Sequence, residues 1–185
     1  MKKPLNLIEY LRQIEDPRRK EGQRYELESV LLMIIISIMA GKTGYREIGR
    51  FSNANKEIFI KFYKKSKGKL PTYKTIRAIV KGLNFDNVLK IFHEWSEQFV
   101  SIEEGEWFAI DGKALCSTVT APLNEYQNFV SIVSIFSHKK GQVIKMGKYE
   151  SKKESEISTV EELLKCLELK DLVFTLDALH CQKKL

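Results

Sequence analysis

Asp111 directly follows one short apolar run, Trp107-Phe-Ala-Ile110, and Asp177 directly follows another, Leu172-Val-Phe-Thr-Leu176. Both runs are rich in aromatic and β-branched residues, as buried strands are. Side by side and parallel, such strands would deliver both carboxylates to one carboxyl edge, where open α/β sheets bind ligands. Carboxylates brought together suit hard divalent cations such as Mg²⁺, which take oxygen ligands. Paired metal ions about 3.5–4 Å apart can serve phosphodiester chemistry, activating the attacking oxygen and stabilising the leaving one. An Asp at a strand end also commonly caps the turn that follows, so spacing alone leaves both readings open.

Whether the two acids meet depends on what lies between them. Phe129–Phe136 and Gln142–Met146 read as strands joined by the turn Ser137-His-Lys-Lys-Gly141, a hairpin. Glu154–Leu167 has Ile157, Val160, Leu163, Leu164 and Leu167 on one helical face. The order strand, hairpin, helix, strand sends the chain back through a helix, which makes the last strand a natural parallel partner for the first. Lys113 would share the cleft and meet a phosphate, or else be an ordinary solvated turn lysine. His180 and Cys181 are adjacent and lack partners at metal-ligand spacing, a poor zinc site.

Residues 1–100 carry a different pattern. Apolar positions recur at helical spacing over Leu5–Ile14, Leu27–Ala40, Tyr45–Phe51, Ile58–Tyr63, Thr72–Leu83 and Val88–Val100, predicting six short helices. Gly41 and Gly44 end the second, Asp16-Pro17 ends the first, and Pro71-Thr72 opens the fifth. Charge sign and hydrophobic period both change near Ser101–Glu106, so the expected organisation is a helical domain over 1–100 and a mixed domain over 106–185. The front part holds 20 Lys/Arg against 11 Asp/Glu, the back part 11 against 13. Between Ile58 and Phe85 there is no acid, while Lys64, Lys65, Lys67, Lys69, Lys74, Arg77 and Lys81 accumulate. Such an unopposed run fits a phosphate backbone, although charge runs are often only solvated faces. A helix, a turn and helix 72–83 resemble a helix-turn-helix, with Tyr73, Lys74 and Arg77 as candidates for the groove-facing surface; the aromatics Phe59, Phe62 and Tyr63 have the spacing of core residues.

The remaining composition narrows the class. With 43% hydrophobic and 10% aromatic residues the chain can bury a real core. Its longest apolar run, Val30–Ala40, is too short to cross a bilayer, which takes roughly 18–20 residues. Three cysteines without C-x-x-C pairing, and a start lacking an apolar signal core, point to a cytoplasmic protein with reduced thiols.

The motifs, taken in order, resemble one family. Asp16-Pro-Arg18, Leu70-Pro-Thr-Tyr-Lys-Thr-Ile-Arg77, Asp111-Gly-Lys113, Phe129-Val-Ser131, Lys153-Glu-Ser-Glu-Ile157, Leu163-Leu164 and Thr175-Leu-Asp-Ala-Leu-His-Cys-Gln182 look like the H-repeat-associated group of bacterial insertion-sequence transposases, of the acidic-triad (DDE) superfamily. The resemblance spans nearly the whole chain. It implies an α+β architecture: an all-α DNA-binding domain, then the first part (β-β-β-α-β) of a ribonuclease-H-like core. It also implies Asp111 and Asp177 as catalytic metal ligands, Mg²⁺ or Mn²⁺ as cofactor, and double-stranded DNA at transposon ends and target as partner, with homo-oligomers possible. The family's third acid is a Glu well beyond the second Asp, whereas this sequence stops eight residues after Asp177. Glu154, Glu156, Glu161 and Glu162 lie on the crossover helix and do not replace it. The expectation is therefore a truncated transposase with little strand-transfer activity; the alternatives are a non-catalytic DNA-binding protein competing at transposon ends, or a metal-dependent nuclease of similar core. Cys116 and Ser155 depart from the family's usual residues at local DNA contacts.

Overall fold

In the computed structural model of the 185-residue chain, the described residues are 6–61, 68–99, 102–115, 118, 130–150, 156–165 and 172–177. The chain divides into two compact units, residues 1–95 and 96–185.

The first unit is helical: α1 (Leu7–Leu11), α2 (Leu27–Met39), α3 (Tyr45–Ala54), α4 (Lys56–Ile60), α5 (Tyr73–Gly82) and α6 (Phe85–Ser96), with a short 3₁₀ turn at Lys20–Gly22. Its core gathers around the apolar α2, whose Val30 and Met33 are buried together with Ile48 of α3 and Ile76 and Ile79 of α5. Ser37 and Ser52, buried within helices, give their hydroxyls to the carbonyls of Met33 and Ile48, both at 2.7 Å, so neither leaves a polar group unpaired. The apolar run that could suggest a membrane segment is this 13-residue core helix; among the described residues no helix is long and apolar enough to cross a membrane.

Parts of the resemblance motifs in this unit hold its fold together. Arg18 forks onto Asp16, with Nε to Oδ1 at 2.8 Å and Nη2 to Oδ2 at 2.7 Å, and Nη2 also donates to the Tyr25 carbonyl. Burial pushes the Asp16 carboxyl up, but the hydrogen bonds and charge of Arg18 together outweigh it and hold it below the usual range. In the Leu70–Arg77 motif, Leu70 and Pro71 are buried, and the Thr72 hydroxyl caps α5 by accepting from the Thr75 N–H at 3.4 Å. Two glycines let α5 lie close to its neighbours. A Cβ on Gly49 would sit 3.3 Å from Cβ of Tyr73 at the start of α5, and one on Gly82 would sit 3.2 Å from Cγ of Pro17.

The second unit is a mixed four-stranded sheet with one helix: β1 (Trp107–Ala114), β2 (Val130–Ser137), β3 (Gln142–Glu150), α7 (Glu156–Lys165) and β4 (Val173–Thr175), in the order β3-β2-β1-β4. β1, β2 and β3 pair antiparallel, and β4 returns parallel to β1 as the crossover requires. α7 lies over β3 and β2, its Thr159 and Leu163 so near Gly147 that a Cβ there would meet both at 3.2 Å. Phe108, Ile110, Val133, Ile135, Ile144, Tyr149 and Val160 form the core beneath the helix. The chain is thus α+β, helices first and mixed sheet second.

Two strands run further than their apolar stretches predict. β1 continues through Asp-Gly-Lys to Ala114, and β3 continues to Glu150. The reason is the antiparallel ladder, which pairs Asp111 with Ser134, Lys113 with Ile132 and Val130 with Glu150 by backbone hydrogen bonding that is indifferent to side-chain polarity.

Candidate functional site

Asp111 sits inside β1 and not just past its end, a correction to the expectation from sequence. Strand alternation puts Phe108 and Ile110 into the core beneath α7, and Trp107, Ala109 and Asp111 on the other face. Asp111 is exposed, and the Ser134 hydroxyl across the ladder donates to its carbonyl at 3.5 Å. Lys113, two residues on, is also exposed and belongs to the same face.

Asp177 is exposed and stands two residues beyond β4. The β1–β4 register is Trp107 with Val173, Phe108 with Phe174, and Ala109 with Thr175, a constant offset of 66. Continued by two residues, this offset sets Asp177 level with Asp111. Three contacts hold the register: Val173 N–H donates to the Glu106 carbonyl at 3.1 Å, Thr175 Oγ1 donates to the Phe108 carbonyl at 3.2 Å, and the Phe108 and Phe174 rings lie 5.7 Å apart. The paired stretch ends at Ala109 and Thr175, before either acid is reached. A donor set of exposed carboxylate oxygens suits Mg²⁺ or Mn²⁺ better than a soft or nitrogen-preferring metal. Two carboxylates do not complete such a shell, and among the described residues no group of three His, Cys, Asp or Glu side chains could hold a metal ion.

Glu106 is an acid that the sequence pattern does not single out. It is buried at the amino end of β1, where its carboxylate accepts from the Ser137 hydroxyl and from the Glu103 N–H at 3.2 Å. The Ser137 hydrogen bond, against burial, holds its carboxyl below the usual range, helped by the Glu103 amide and by Lys140 and Lys139. Five residues of strand, about 16 Å at roughly 3.3 Å each, separate it from Asp111. Its role is to tie the entry of β1 to the β2–β3 turn.

In the helical unit, Lys69, Lys74, Arg77 and Lys81 are exposed, the last three spaced along one side of α5. Lys64, Lys65 and Lys67 lie outside the described residues, as do Phe62, Tyr63, Cys116, Phe129, Lys153–Ser155, His180 and Cys181. Tyr73 is not a freely exposed aromatic: half-buried against Gly49, it carries the Arg46 guanidinium 5.5 Å above its ring centre. Beside this pair α3 and α5 enclose a cleft of about 680 Å³ whose walls include Arg46, Arg50, Asn53 and Lys74. Arg46 and Arg50 fall outside the acid-free stretch of the sequence. They stand one helical turn apart, a spacing that marks a shared face but not what the face meets.

A helical unit followed by a mixed sheet is the organisation expected of the family that the sequence resembles, and the comparisons agree on the family. The family model described as DDE_Tnp_1-associated matches residues 8–96. "Putative transposase YncI" of Escherichia coli K12 is 30% identical over 178 residues, 96% of this chain and 70% of that protein. Its namesake in Escherichia coli O157:H7 is 31% identical, across 96% of this chain and 45% of its own length. "H repeat-associated putative transposase YhhI" of Escherichia coli K12 is 28% identical over 96% of this chain and 46% of its own. The chain belongs to the H repeat-associated family of insertion-sequence transposases. It spans about half the length of the longer relatives it matches.

Proposed function

We propose that this chain contributes the DNA-binding front unit and the first two acidic ligands of a DNA transposase that cuts and joins DNA at the ends of an insertion sequence. The observation that supports the reading is the parallel β1–β4 register, Trp107 with Val173 to Ala109 with Thr175, which, continued two residues past the paired stretch, would set Asp177 level with Asp111. Asp111 and Asp177 would hold a divalent ion, Mg²⁺ or Mn²⁺, which when bound supplies charge stabilisation to the attacking and leaving oxygens of a phosphodiester. Phe108 and Ile110, locked in the core, fix the direction from which Asp111 approaches, and Lys113 would meet a phosphate from the same strand face. The sheet unit is read as the first part of a ribonuclease-H-like core, supported by its antiparallel strands, crossover helix and parallel fourth strand. The partner is double-stranded DNA, and the family's third carboxylate, a Glu beyond the second Asp, would complete the ligand set.

Two measurements test this. Mn²⁺ titration of the chain, followed by water proton relaxation, is expected to show binding that Asp111→Asn and Asp177→Asn each weaken by tenfold or more. The chain extended to the full length of its relatives is expected to nick DNA carrying the element's ends in Mn²⁺, and either substitution should abolish nicking. Full nicking by the Asp111→Asn variant would remove that residue from the site. DNA binding that persists without any metal-dependent nicking would leave a non-catalytic DNA-binding protein.

A further inference from the structure

We infer that the cleft between α3 and α5 is a seat for the phosphodiester backbone of duplex DNA; the inference rests on the DNA-binding half of the function proposed above. Arg46 and Arg50 from α3 and Lys74 from α5 line one cleft of about 680 Å³, although Arg50 and Lys74 are 24 positions apart in the sequence. All three are exposed, and among the described residues none is joined to an acid. The acid nearest in sequence, Glu47, is turned away, its carboxylate accepting from the Gly44 N–H at 3.2 Å.

Two of the uncharged polar side chains in the walls make hydrogen bonds within the protein. Asn53 donates its side-chain amide to the Gly49 carbonyl at 2.9 Å, and the Thr72 hydroxyl caps α5. What the cleft chiefly offers an incoming ligand is therefore positive charge, which suits the phosphate contacts that position a protein on a duplex. Arg46 is held over the Tyr73 ring, so part of the cost of ordering its side chain is met before any ligand arrives. The positive end of α5 opens beside Lys74 and adds to the same field. Beyond the cleft, Arg77 and Lys81 continue the charge along α5, giving a tract longer than a single free phosphate would use.

The test is fluorescence anisotropy of the whole chain with a random-sequence duplex in EDTA, repeated over a KCl series. Arg46→Ala/Arg50→Ala/Lys74→Ala is expected to weaken binding at least tenfold near 0.1 M salt and to flatten the log–log salt dependence by about 2–3, at roughly 0.9 for each phosphate no longer engaged. The same number of exposed cations removed elsewhere in the unit, Lys20→Ala/Arg24→Ala/Lys42→Ala, should change the slope far less. Thermal melting should shift only slightly, since the three cleft side chains are exposed and the Arg46 contact with the Tyr73 ring is the one interaction lost among those described. Equal weakening in the two triple variants, an unchanged slope in the first, no duplex binding by the wild type, or displacement by inorganic phosphate at matched ionic strength would each overturn the cleft. Mn²⁺ binding at Asp111 and Asp177 is read separately: its absence with duplex binding intact counts against the metal site alone, and an unaltered slope with Mn²⁺ binding intact counts against the cleft alone.

Discussion

α5 bears part of the proposed DNA surface and β4 leads to Asp177, and the two elements are held very differently. α5 is a ten-residue helix with a hydroxyl cap, two deeply buried isoleucines and close contacts at both ends. β4 is three residues long, paired through three positions, with only its middle residue turned toward the core. A cation row on α5 inherits the rigidity of a completed helical core. Asp177 lies two residues beyond a minimal strand whose pairing with β1 covers three positions. Edge strands this short pair weakly with stray chains, and they also leave little to hold a ligand in place.

The largest test of that contrast is in the cores. Phe108→Ala should cost about 3–5 kcal/mol and Ile76→Ala about 2–5 kcal/mol, each in its own unit. Hydrogen exchange resolved along the sequence is the check: protection should collapse in β1–β4 with the first and in α2–α6 with the second. Collapse across both units from either substitution would show that the two fold as one.

Acid sharpens the comparison next. Glu106 in the sheet unit and Asp16 in the helical unit both have carboxyls held below their ordinary values of 4.5 and 3.8. A depressed folded pKa contributes stability that is fully present above the unfolded value and is lost as pH falls through the folded one. Glu106→Gln should therefore flatten the acid limb of the sheet unit's melting temperature below about pH 4.5, close to where a glutamate in an unfolded chain titrates. Asp16→Asn should flatten that of the helical unit at lower pH. Identical pH profiles for wild type and Glu106→Gln would mean that the Ser137 contact does not stabilise the fold.

The smallest effect concerns the register itself. Thr175→Val removes the hydrogen bond to the Phe108 carbonyl, worth about 0.5–1.5 kcal/mol, with denaturant midpoints as the check. Its informative readout is Mn²⁺ affinity, which should drop by more than the stability change alone explains if alignment of Asp177 depends on this contact.

Much of the scaffold was legible in the residues because local signals and packing agree. The apolar stretch ending at Gly41 is α2, Thr72 after Pro71 caps α5, and the return through α7 makes β4 parallel to β1. Asp111 was misplaced as a strand-end residue because Gly112 and Lys113 read as a turn, while cross-strand pairing with Val133 and Ile132 keeps them in β1. Gly147 looks like a strand breaker and is instead where Thr159 and Leu163 come down onto the sheet. Arg46 and Arg50 carried no signal, because a window along the chain cannot register that α3 will face Lys74. Glu106 was hidden for the same reason: its partner Ser137 is 31 residues away and meets it only across the ladder.

The two glycine contacts of α5 make it a beam supported at both ends. A side chain grown at Gly49 would press on Tyr73 at the cleft's edge, where α3 and α5 would have to part by a few tenths of an ångström; one grown at Gly82 would press on Pro17, which is not in the cleft's walls. The residue at position 49 thus sets the spacing between two rows of charge, a mechanical adjustment by which a chain of this kind is retuned to a differently shaped groove.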